Sequence, residues 1–374
     1  MKELKRILVS GGGTGGHIMP AVALCEEIRD AYPEAKIYFA GRKRSMEHEI
    51  AGKHGLDFYS VPSAPKGRGL KMIGNFFINI AGFCKSFLLL LFLRPDAVAV
   101  FGGYTSGALL CASLLLRKNA VIHESNAIPG RVTRTMAKLG VRVACGLPSE
   151  HPLMRSLKAS LKKEGSFAIT GNPLRKAFRL PPEDISKELP GYSESEPLLL
   201  IFGGSQGAHK INLLCAETLP KLKSRFPRLQ VVHICGGNDQ VLLQNVYAVS
   251  GLRFWLFPFF EKMASLMRAS TLCVARSGAL SVTEICASGL PALLIPLPTA
   301  ADDHQLANAR VLEEAGAARI CQEADLSAEK LTEELAKLLE NHLLLKAMSE
   351  AGKDLAKDNA SKELLNFIIA PWQA

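Results

Sequence analysis

The sequence predicts an α/β protein of two doubly wound, Rossmann-like domains, and three observations carry that prediction. Short apolar runs alternate with segments of helical period along nearly the whole chain, as parallel sheets covered by helices require. A glycine-rich turn of one design occurs twice, about half a chain apart. It reads Gly11-Gly12-Gly13-Thr14-Gly15-Gly16-His17 after the run 6–10, and Gly203-Gly204-Ser205-Gln206-Gly207 after the run 198–202. Finally, 374 residues exceed one core at about 150 residues per domain. A strand that empties through glycines into a helix leaves open backbone N–H groups and a positive helix end at the strand's carboxyl edge. That is a cradle for phosphate or sugar hydroxyls, and this chain has two.

In the first half, strands are expected at 6–10, 36–40, 57–61, 96–101, 119–123, 141–145 and 167–170. Between the first two, Ile18, Val22, Cys25 and Ile28 recur near the helical period, with Pro20 expected in that helix's first turn. The second half repeats the pattern, with strands at 197–202, 229–235, 252–258, 271–275 and 291–296 and helices at 207–226, 277–289 and 303–316. The break reads Thr170-Gly171-Asn172-Pro173-Leu174-Arg175, followed by a Pro/Glu-rich exposed loop at 181–197. This division gives domains of 1–170 and 171–345 and a helical end, 346–374. The apolar residues of that end, Leu364, Leu365, Ile368 and Ile369, need a surface to pack on.

Composition narrows the function classes. Hydrophobic residues at 48% with 21% charged suit a packed globular protein. Nine scattered cysteines without a C-x-x-C pair argue against zinc and disulfide frameworks and for a reducing cytosol. The opening residues run straight into a strand, so no secretory signal is expected. The net charge of +10 is unevenly placed: residues 1–170 carry 24 Lys/Arg against 12 Asp/Glu, the remainder 21 against 23. The first half should therefore meet any anionic partner. No RNP or C2H2 pattern is present, so a membrane leaflet is favoured over nucleic acid.

One segment, Phe76 to Leu93, is nearly all apolar, interrupted by Asn79, Lys85 and Ser86. A central lysine costs roughly 2.5–3.5 kcal/mol on insertion, and a strand follows at once, so a crossover helix is expected rather than a span. With the basic loop before it, Lys66, Arg68 and Lys71 join Phe76, Phe77 and Ile80 as candidate contacts to an anionic bilayer surface.

Several strand ends carry chemistry. Gly11-x-Gly13-x-x-Gly16 satisfies the dinucleotide fingerprint, but no acid ends the second strand, which disfavours NAD; Arg42, Lys43 and Arg44 leave NADP open. His17, at a helix mouth, suits a general base, or equally a ring tied to a loop. Phe101-Gly102-Gly103-Tyr104-Thr105-Ser106-Gly107 is another strand–glycine–helix turn, and His123-Glu124-Ser125-Asn126 places an acid beside an amide, which suits a hydroxylated ligand or, more often, ties a loop. In the second half Ser277, Gly278 and Ala279 open a helix, and Ser277, Ser281, Glu284 and Ser288 fall on one polar stripe. Glu284 is placed to chelate ribose hydroxyls, or to sit on a solvated face. Asp302-Asp303-His304-Gln305-x-x-Asn308 adds polar groups, and without a D-x-D pattern a metal-bridged diphosphate is not indicated.

Seven blocks, in order, resemble glycosyltransferase family 28: GGGTGGH at 11–17, GGYTSG at 102–107, HESNA at 123–127, GNPLR at 171–175, GGSQGA at 203–208, RSGALSVTE at 276–284 and DDHQLANA at 302–309. The resemblance implies a GT-B fold, two Rossmann-like domains facing across a cleft that closes, with the last helix returning to the first domain. It implies inverting transfer of GlcNAc from UDP-GlcNAc to the MurNAc C4 hydroxyl of lipid I (undecaprenyl-diphospho-MurNAc-peptide), making lipid II for the cell wall. It implies His17 as base, with Tyr104 and Glu124 flanking the acceptor. Donor contacts would come from Thr14, Gly15, Gly16, Asn126, Arg175, Ser205, the main chain at Phe260, the run Ala279, Leu280, Ser281, Val282, Thr283 and Glu284, and Gln305. No cofactor or metal is implied. The expected place is peripheral, on the cytoplasmic face of the bacterial plasma membrane, with cell-wall and division proteins as partners. Ser125 departs from the family's usual Gln.

Three rivals stand beside this reading. They are an NADP-dependent oxidoreductase, a lipid-acceptor transferase with another sugar donor such as a glycosyl-diacylglycerol synthase, and a binding-only protein. The last is disfavoured because His17, Glu284 and Gln305 are all present.

Overall fold

Each half of the chain folds into its own parallel sheet. The computed structural model describes residues 4–64, 70–161, 163–204 and 207–370, without the side chains of Leu70 and Lys71. The first sheet is built from β1 (Arg6–Ser10), α1 (Gly15–Ala31), β2 (Lys36–Gly41), α2 (Met46–Lys53), β3 (Asp57–Ser60), α3 (Leu70–Leu93), β4 (Ala97–Val100), α4 (Ser106–Leu115), β5 (Asn119–Glu124), α5 (Arg131–Lys138), β6 (Arg142–Cys145), α6 (Pro152–Ser160) and β7 (Phe167–Ile169). Its strand order is β3-β2-β1-β4-β5-β6-β7, all parallel, so the winding reverses between β1 and β4.

The second sheet comprises β8 (Leu198–Phe202), α7 (His209–Arg225), β9 (Gln230–Ile234), α8 (Gln240–Val249), β10 (Arg253–Phe257), α9 (Met263–Ala269), β11 (Leu272–Ala275), α10 (Ala279–Ala287), β12 (Ala292–Leu294), α11 (His304–Glu314), β13 (Ala318–Ile320), α12 (Ala328–Glu340) and α13 (His342–Leu355). Its order is β10-β9-β8-β11-β12-β13, reversing between β8 and β11. Every expected strand forms. The unexpected β13 is Ala-Arg-Ile, too short to show a period.

Alternation along the first sheet's strands separates two cores. Leu8, Val98, Val100 and Ile122 face the residues of α3 to α6, while Ile7, Val9, Phe39, Ala99 and Val121 face α1, α2 and α14 (Ala360–Ile369). Two compact units result: Met1–Lys176 with Asn359–Ala374, and Ala177–Asp358. The boundaries thus fall later than the expected 170 and 345. The reason is that α13 packs within the second unit, with Gly352 against Ala317 and Cys286. Only α14 lays Leu364, Leu365 and Ile368 into the first unit's core.

A buried cation fastens α14. The Arg142 guanidinium donates to the carbonyls of Phe367 (2.6 Å) and Gly165 (3.3 Å) and lies 4.1 Å over the Phe367 ring. Asn119 Nδ2 donates to the Ile368 carbonyl at 2.7 Å. Last-turn carbonyls without helical partners are thereby met by donors, one of them charged. Burial pulls Arg142 down to about 10.

Two local expectations change. Helix α1 begins at Gly15, inside the glycine turn, so Pro20 lies in its second turn and leaves the Gly16 carbonyl without a helical donor. The apolar segment is part of a longer helix, α3, of 24 residues. Its span Met72–Leu93 is long and apolar enough to cross a membrane by length and composition alone. Two of its polar residues are nevertheless tied to the unit. Asn79 holds both backbone groups of Ala64 (3.0 and 3.2 Å) and Lys85 donates to Ser60 Oγ (3.1 Å), while Ser86 donates within the helix to the Gly82 carbonyl (2.8 Å). Gly82 is needed there, since a Cβ would stand 2.1 Å from the Pro62 carbonyl oxygen.

Two histidines are buried in the neutral form. His233 on β9 donates from Nε2 to Asn212 Oδ1 (3.0 Å) and accepts the Tyr247 hydroxyl at Nδ1 (2.9 Å). Burial lowers His233 to about 3 and, in the first unit, His123 to about 4. Unfolded histidines bind protons below about 6.5 whereas these folded ones do not, so stability is present above that pH and is lost as pH falls toward the folded values. Wild-type unfolding free energy in urea is expected to drop between pH 7.5 and 5, each histidine contributing roughly 1–2 kcal/mol. His233→Asn should remove its share of that drop while lowering stability at pH 7.5. An identical drop in the variant would refute the assignment.

Candidate functional site

β1 and β4 are neighbours where the first sheet's winding reverses, so the glycine turns after them leave the sheet side by side. They touch backbone to backbone. A Cβ on Gly103 (φ +93°) would lie 2.5 Å from the Gly12 carbonyl oxygen, and one on Gly102 (φ +98°) within 3.0 Å of the His17 ring. The ring therefore rests on Gly102. His17 Nδ1 lies 3.1 Å from the Gly12 carbonyl, which can only accept, so Nδ1 carries hydrogen. The neutral ring then keeps its lone pair on Nε2, as a base requires. Thr14, Gly15 and Gly16 form the start of α1 beside it, and Ser10 Oγ meets Thr105 Oγ1 at 3.1 Å between the two strand ends.

Tyr104 is exposed, its ring beneath the Arg42 guanidinium at 5.6 Å. Glu124 is buried and fully engaged. One oxygen accepts the backbone and side-chain amides of Asn126 (3.1 and 3.3 Å), the other the Gly130 N–H (2.8 Å) and the Thr133 hydroxyl (2.7 Å). Its observed work is to fix the loop that carries Asn126, which is the loop-tying role its place in the sequence allowed. Sequence reasoning passed over His123, which donates from Nε2 to the Gly171 carbonyl at 3.0 Å. Burial lowers it to about 4, the Gly171 bond opposes, and nearby His17 adds to the lowering. Ser125 Oγ stands 3.5 Å from its Nδ1. Glu47, also passed over, lies buried against Gly12.

In the second unit β8 and β11 flank the reversal. Gly207 (φ +76°) lets the turn after β8 pack on the Cys235 carbonyl, 2.3 Å from where a Cβ would stand. After β11, α10 opens at Gly278. Its first helical bond runs from the Val282 N–H to the Gly278 carbonyl (3.0 Å), so the N–H groups of Ala279, Leu280 and Ser281 precede it. No acid occupies that first turn, which keeps the positive end available to an anion. Thr283 Oγ1 donates to the Ala279 carbonyl (2.8 Å), Val282 is buried, and Glu284 lies half-buried on the next turn.

The expected polar stripe is shorter than the sequence suggested. Ser277 and Ser288 lie outside α10 and are turned inward, leaving Ser281 and Glu284. Ser277 Oγ donates to the Gln305 carbonyl (2.8 Å), and Asn308 Nδ2 to the Ser277 carbonyl (3.1 Å), suturing α10's entry to α11. Gln305 Oε1 accepts the Leu297 N–H (3.0 Å), which fixes its amide so that the NH2 group is the outward donor. Ahead of it Asp302 and Asp303 both adopt left-handed φ, +52° and +54°, a strain of about 1 kcal/mol or more each. Buried Arg276 donates to the carbonyls of Ile295 (3.0 Å) and Pro296 (3.1 Å) and pairs with Glu323, bracing the ends of β11 and β12.

Phe260 is buried edge-on against Phe257, ring centroids 5.0 Å apart. Arg175 belongs to the end of the first unit, not to the second domain as expected, because the loop that carries it follows β7 without leaving that unit. Ser205, Lys66 and Arg68 lie outside the described residues, as does the side chain of Lys71. Among the described residues no three His, Cys, Asp or Glu side chains gather as a metal site would need.

Known proteins match this chain over nearly its whole length. The glycosyltransferase family 28 N-terminal domain matches residues 7–145 and the family's C-terminal domain residues 198–364. A protein of Geobacter sulfurreducens is 33% identical over 98% of both chains. One of Syntrophotalea carbinolica is 35% identical over 96% of this chain and 97% of its own. Each is named a UDP-N-acetylglucosamine–N-acetylmuramyl-(pentapeptide) pyrophosphoryl-undecaprenol N-acetylglucosamine transferase. Among solved structures, Acinetobacter baumannii MurG superposes with a TM-score of 0.76 at 28% identity, over 97% of this chain and 99% of that one. A UDP-GlcNAc 2-epimerase of Neisseria meningitidis shares the fold at 15% identity, with a TM-score of 0.72, over 98% of this chain and all of its own.

The His17 geometry is directly testable. Nitrogen-15 histidine spectra at a pH where the ring is neutral should show His17 protonated at Nδ1, and Gly102→Ala should shift that signal by displacing the ring. An Nε2-protonated ring, or an unmoved signal in the variant, would refute the placement.

Proposed function

This chain belongs to glycosyltransferase family 28, and from that premise we propose that it transfers GlcNAc from UDP-GlcNAc to the MurNAc C4 hydroxyl of lipid I, yielding lipid II. The observation that carries this reading is the His17 ring, held on Gly102 with its Nε2 lone pair available at the first sheet's carboxyl edge. The second unit, taken by itself, offers a helix start with open N–H groups and no acid beside it.

The step balances with the groups present. The acceptor O4 attacks the donor's anomeric carbon, its proton passes to His17 Nε2, and the bond from that carbon to the UDP phosphate oxygen breaks. UDP leaves with the electron pair, its charge met by the amides of Ala279, Leu280 and Ser281. One in-line displacement inverts an α-linked donor to a β-linked product. Glu284 binds the ribose hydroxyls, the Gln305 NH2 donates to a sugar hydroxyl, and Asn126, held by Glu124, contacts the sugar. Tyr104 flanks the acceptor. The NADP alternative loses its support in the family assignment.

The acceptor's polyprenyl tail stays in a bilayer, and the exposed side chains of Met72, Ile73, Phe76, Phe77 and Ile80 on α3 favour peripheral attachment there. The first unit's positive charge suits an anionic cytoplasmic leaflet.

Radiolabelled sugar transfer from UDP-GlcNAc to a lipid I analogue tests the reading, and no transfer would end it. His17→Ala should lower kcat about 10²–10⁴-fold while sparing donor affinity. Glu284→Ala should weaken donor binding about ten- to hundredfold. Near-normal turnover in the first variant, or unchanged donor affinity in the second, would remove those roles. Replacing Phe76 and Phe77 together by Ser should reduce binding to anionic vesicles at least about tenfold. Equal binding by wild type and variant would take α3 out of the account.

A further inference from the structure

Arg42 is held in a manner that a structural ion pair does not require. It follows β2, next to β1 in the sheet, and its backbone is pinned twice. Its N–H donates to Glu47 Oε1 at 3.2 Å, and its carbonyl accepts the Ser45 hydroxyl at 2.6 Å. Glu47 itself is buried in a slot that two glycines make. A Cβ on Gly41 would stand 2.6 Å from its Cγ, and one on Gly12 would stand 3.0 Å from its Oε1. The carboxylate faces only the Nε side of the guanidinium, at 3.8 Å, and the Tyr104 ring lies below at 5.6 Å. The two terminal nitrogens make no hydrogen bond among the described residues, and the side chain is 39% exposed. The result is a guanidinium fork aimed by its stem and offered at its tip. Planar forks of this kind suit bidentate carboxylate. Lys43 and Arg44 stand exposed beside it and raise the local positive potential.

The relatives' acceptor carries two kinds of anion, a pyrophosphoryl group and a pentapeptide. The sugar's own chemistry separates them. The base must meet O4, and the His17 ring rests on Gly102, two residues before Tyr104. In N-acetylmuramic acid the lactyl arm that bears the peptide is on C3, adjacent to C4, whereas the diphosphate is on C1, across the ring. Arg42 adjoins the base, since its partner Glu47 lies against Gly12, whose carbonyl holds His17, and of the two anionic arms the one on C3 is nearer to O4. We propose that Arg42 is a specificity-determining residue that binds a carboxylate of the acceptor's peptide through its terminal nitrogens. The proposal rests on the transferase reading and deepens it.

The test is steady-state transfer with two lipid I analogues, one with free peptide carboxylates and one with them amidated, using wild type, Arg42→Gln and Arg42→Lys. Wild type should show a KM for the free-carboxylate acceptor roughly tenfold below that for the amidated one. Arg42→Gln should abolish the difference by raising only the first KM, with kcat and the UDP-GlcNAc KM retained. Arg42→Lys should recover part of it, having the charge without the fork. A KM raised equally for both acceptors would assign Arg42 to the diphosphate or to structure, and overturn the proposal. So would a wild type indifferent to amidation. Absence of transfer by wild type with either acceptor would instead defeat the transferase reading itself.

Discussion

The first unit's chemistry depends on one steric constraint, the contact of two glycine turns at the point where the sheet's winding reverses. Gly12 is enclosed on both sides: Gly103 presses its backbone against the Gly12 carbonyl, and the buried Glu47 carboxylate lies where a side chain on Gly12 would go. That same carbonyl accepts from His17 Nδ1. One peptide group thus sets the tautomer of the histidine, the spacing of the Tyr104 turn and the room for the acid that aims Arg42. A methyl group at Gly103 would collide with the Gly12 backbone, which yields little, and one at Gly12 would crowd the buried Glu47 carboxylate at 3.0 Å.

The second unit reaches the same topology by other means. Its turns are braced by side chains, with Arg276 across the ends of β11 and β12 and Ser277, Asn308 and Gln305 between α10 and α11. The contrast follows from the task proposed for each. Holding a leaving group asks for fixed donors around an open helix end, which rigid bracing supplies without placing an acid in the helix's first turn. Placing a base asks for a ring at one distance and one tautomer, which a glycine floor and a carbonyl acceptor supply. Among the described residues of this unit, the successive aspartates before Gln305 are the non-glycine positions with left-handed φ, and they lie where the amide must be presented.

The glycine turns and His17 were legible in the sequence because each is a local pattern: a strand, glycines and a helix start. The reversal points follow once strands and helices alternate. What escaped depends on partners remote in the chain. Glu47 reads as an ordinary acid in the first turn of α2, and its slot is made by Gly41 and Gly12, which lie on other elements. Ser277 and Ser288 keep helical spacing with Glu284, yet α10 starts after one and ends before the other, so spacing alone overstated the exposed stripe. Glu124, beside an amide, suited either a binding acid or a loop tie, and the bonds that make it a loop tie come from Gly130 and Thr133, whose approach is a matter of loop path. The later unit boundary has the same origin, since α13 and α14 are both amphipathic and only packing decides which core each joins.

Helix α3 shows how a sequence can satisfy two solvents at once. Its carboxyl half buries Leu89, Leu90 and Leu93 with Gly82 against the loop after β3, while Met72, Ile73, Phe76 and Phe77 stand in the open. A helix leaving the unit to cross a bilayer would break the Asn79–Ala64 clasp, the Lys85–Ser60 bond and that half of the core together. It would also carry a lysine and an asparagine into hydrocarbon, where unsatisfied polar groups cost several kcal/mol. Lying on the surface breaks none of these contacts and covers the exposed phenylalanines. Asn79 and Lys85, which interrupt the apolar run, therefore argue for attachment by a face, with the helix still seated on its sheet.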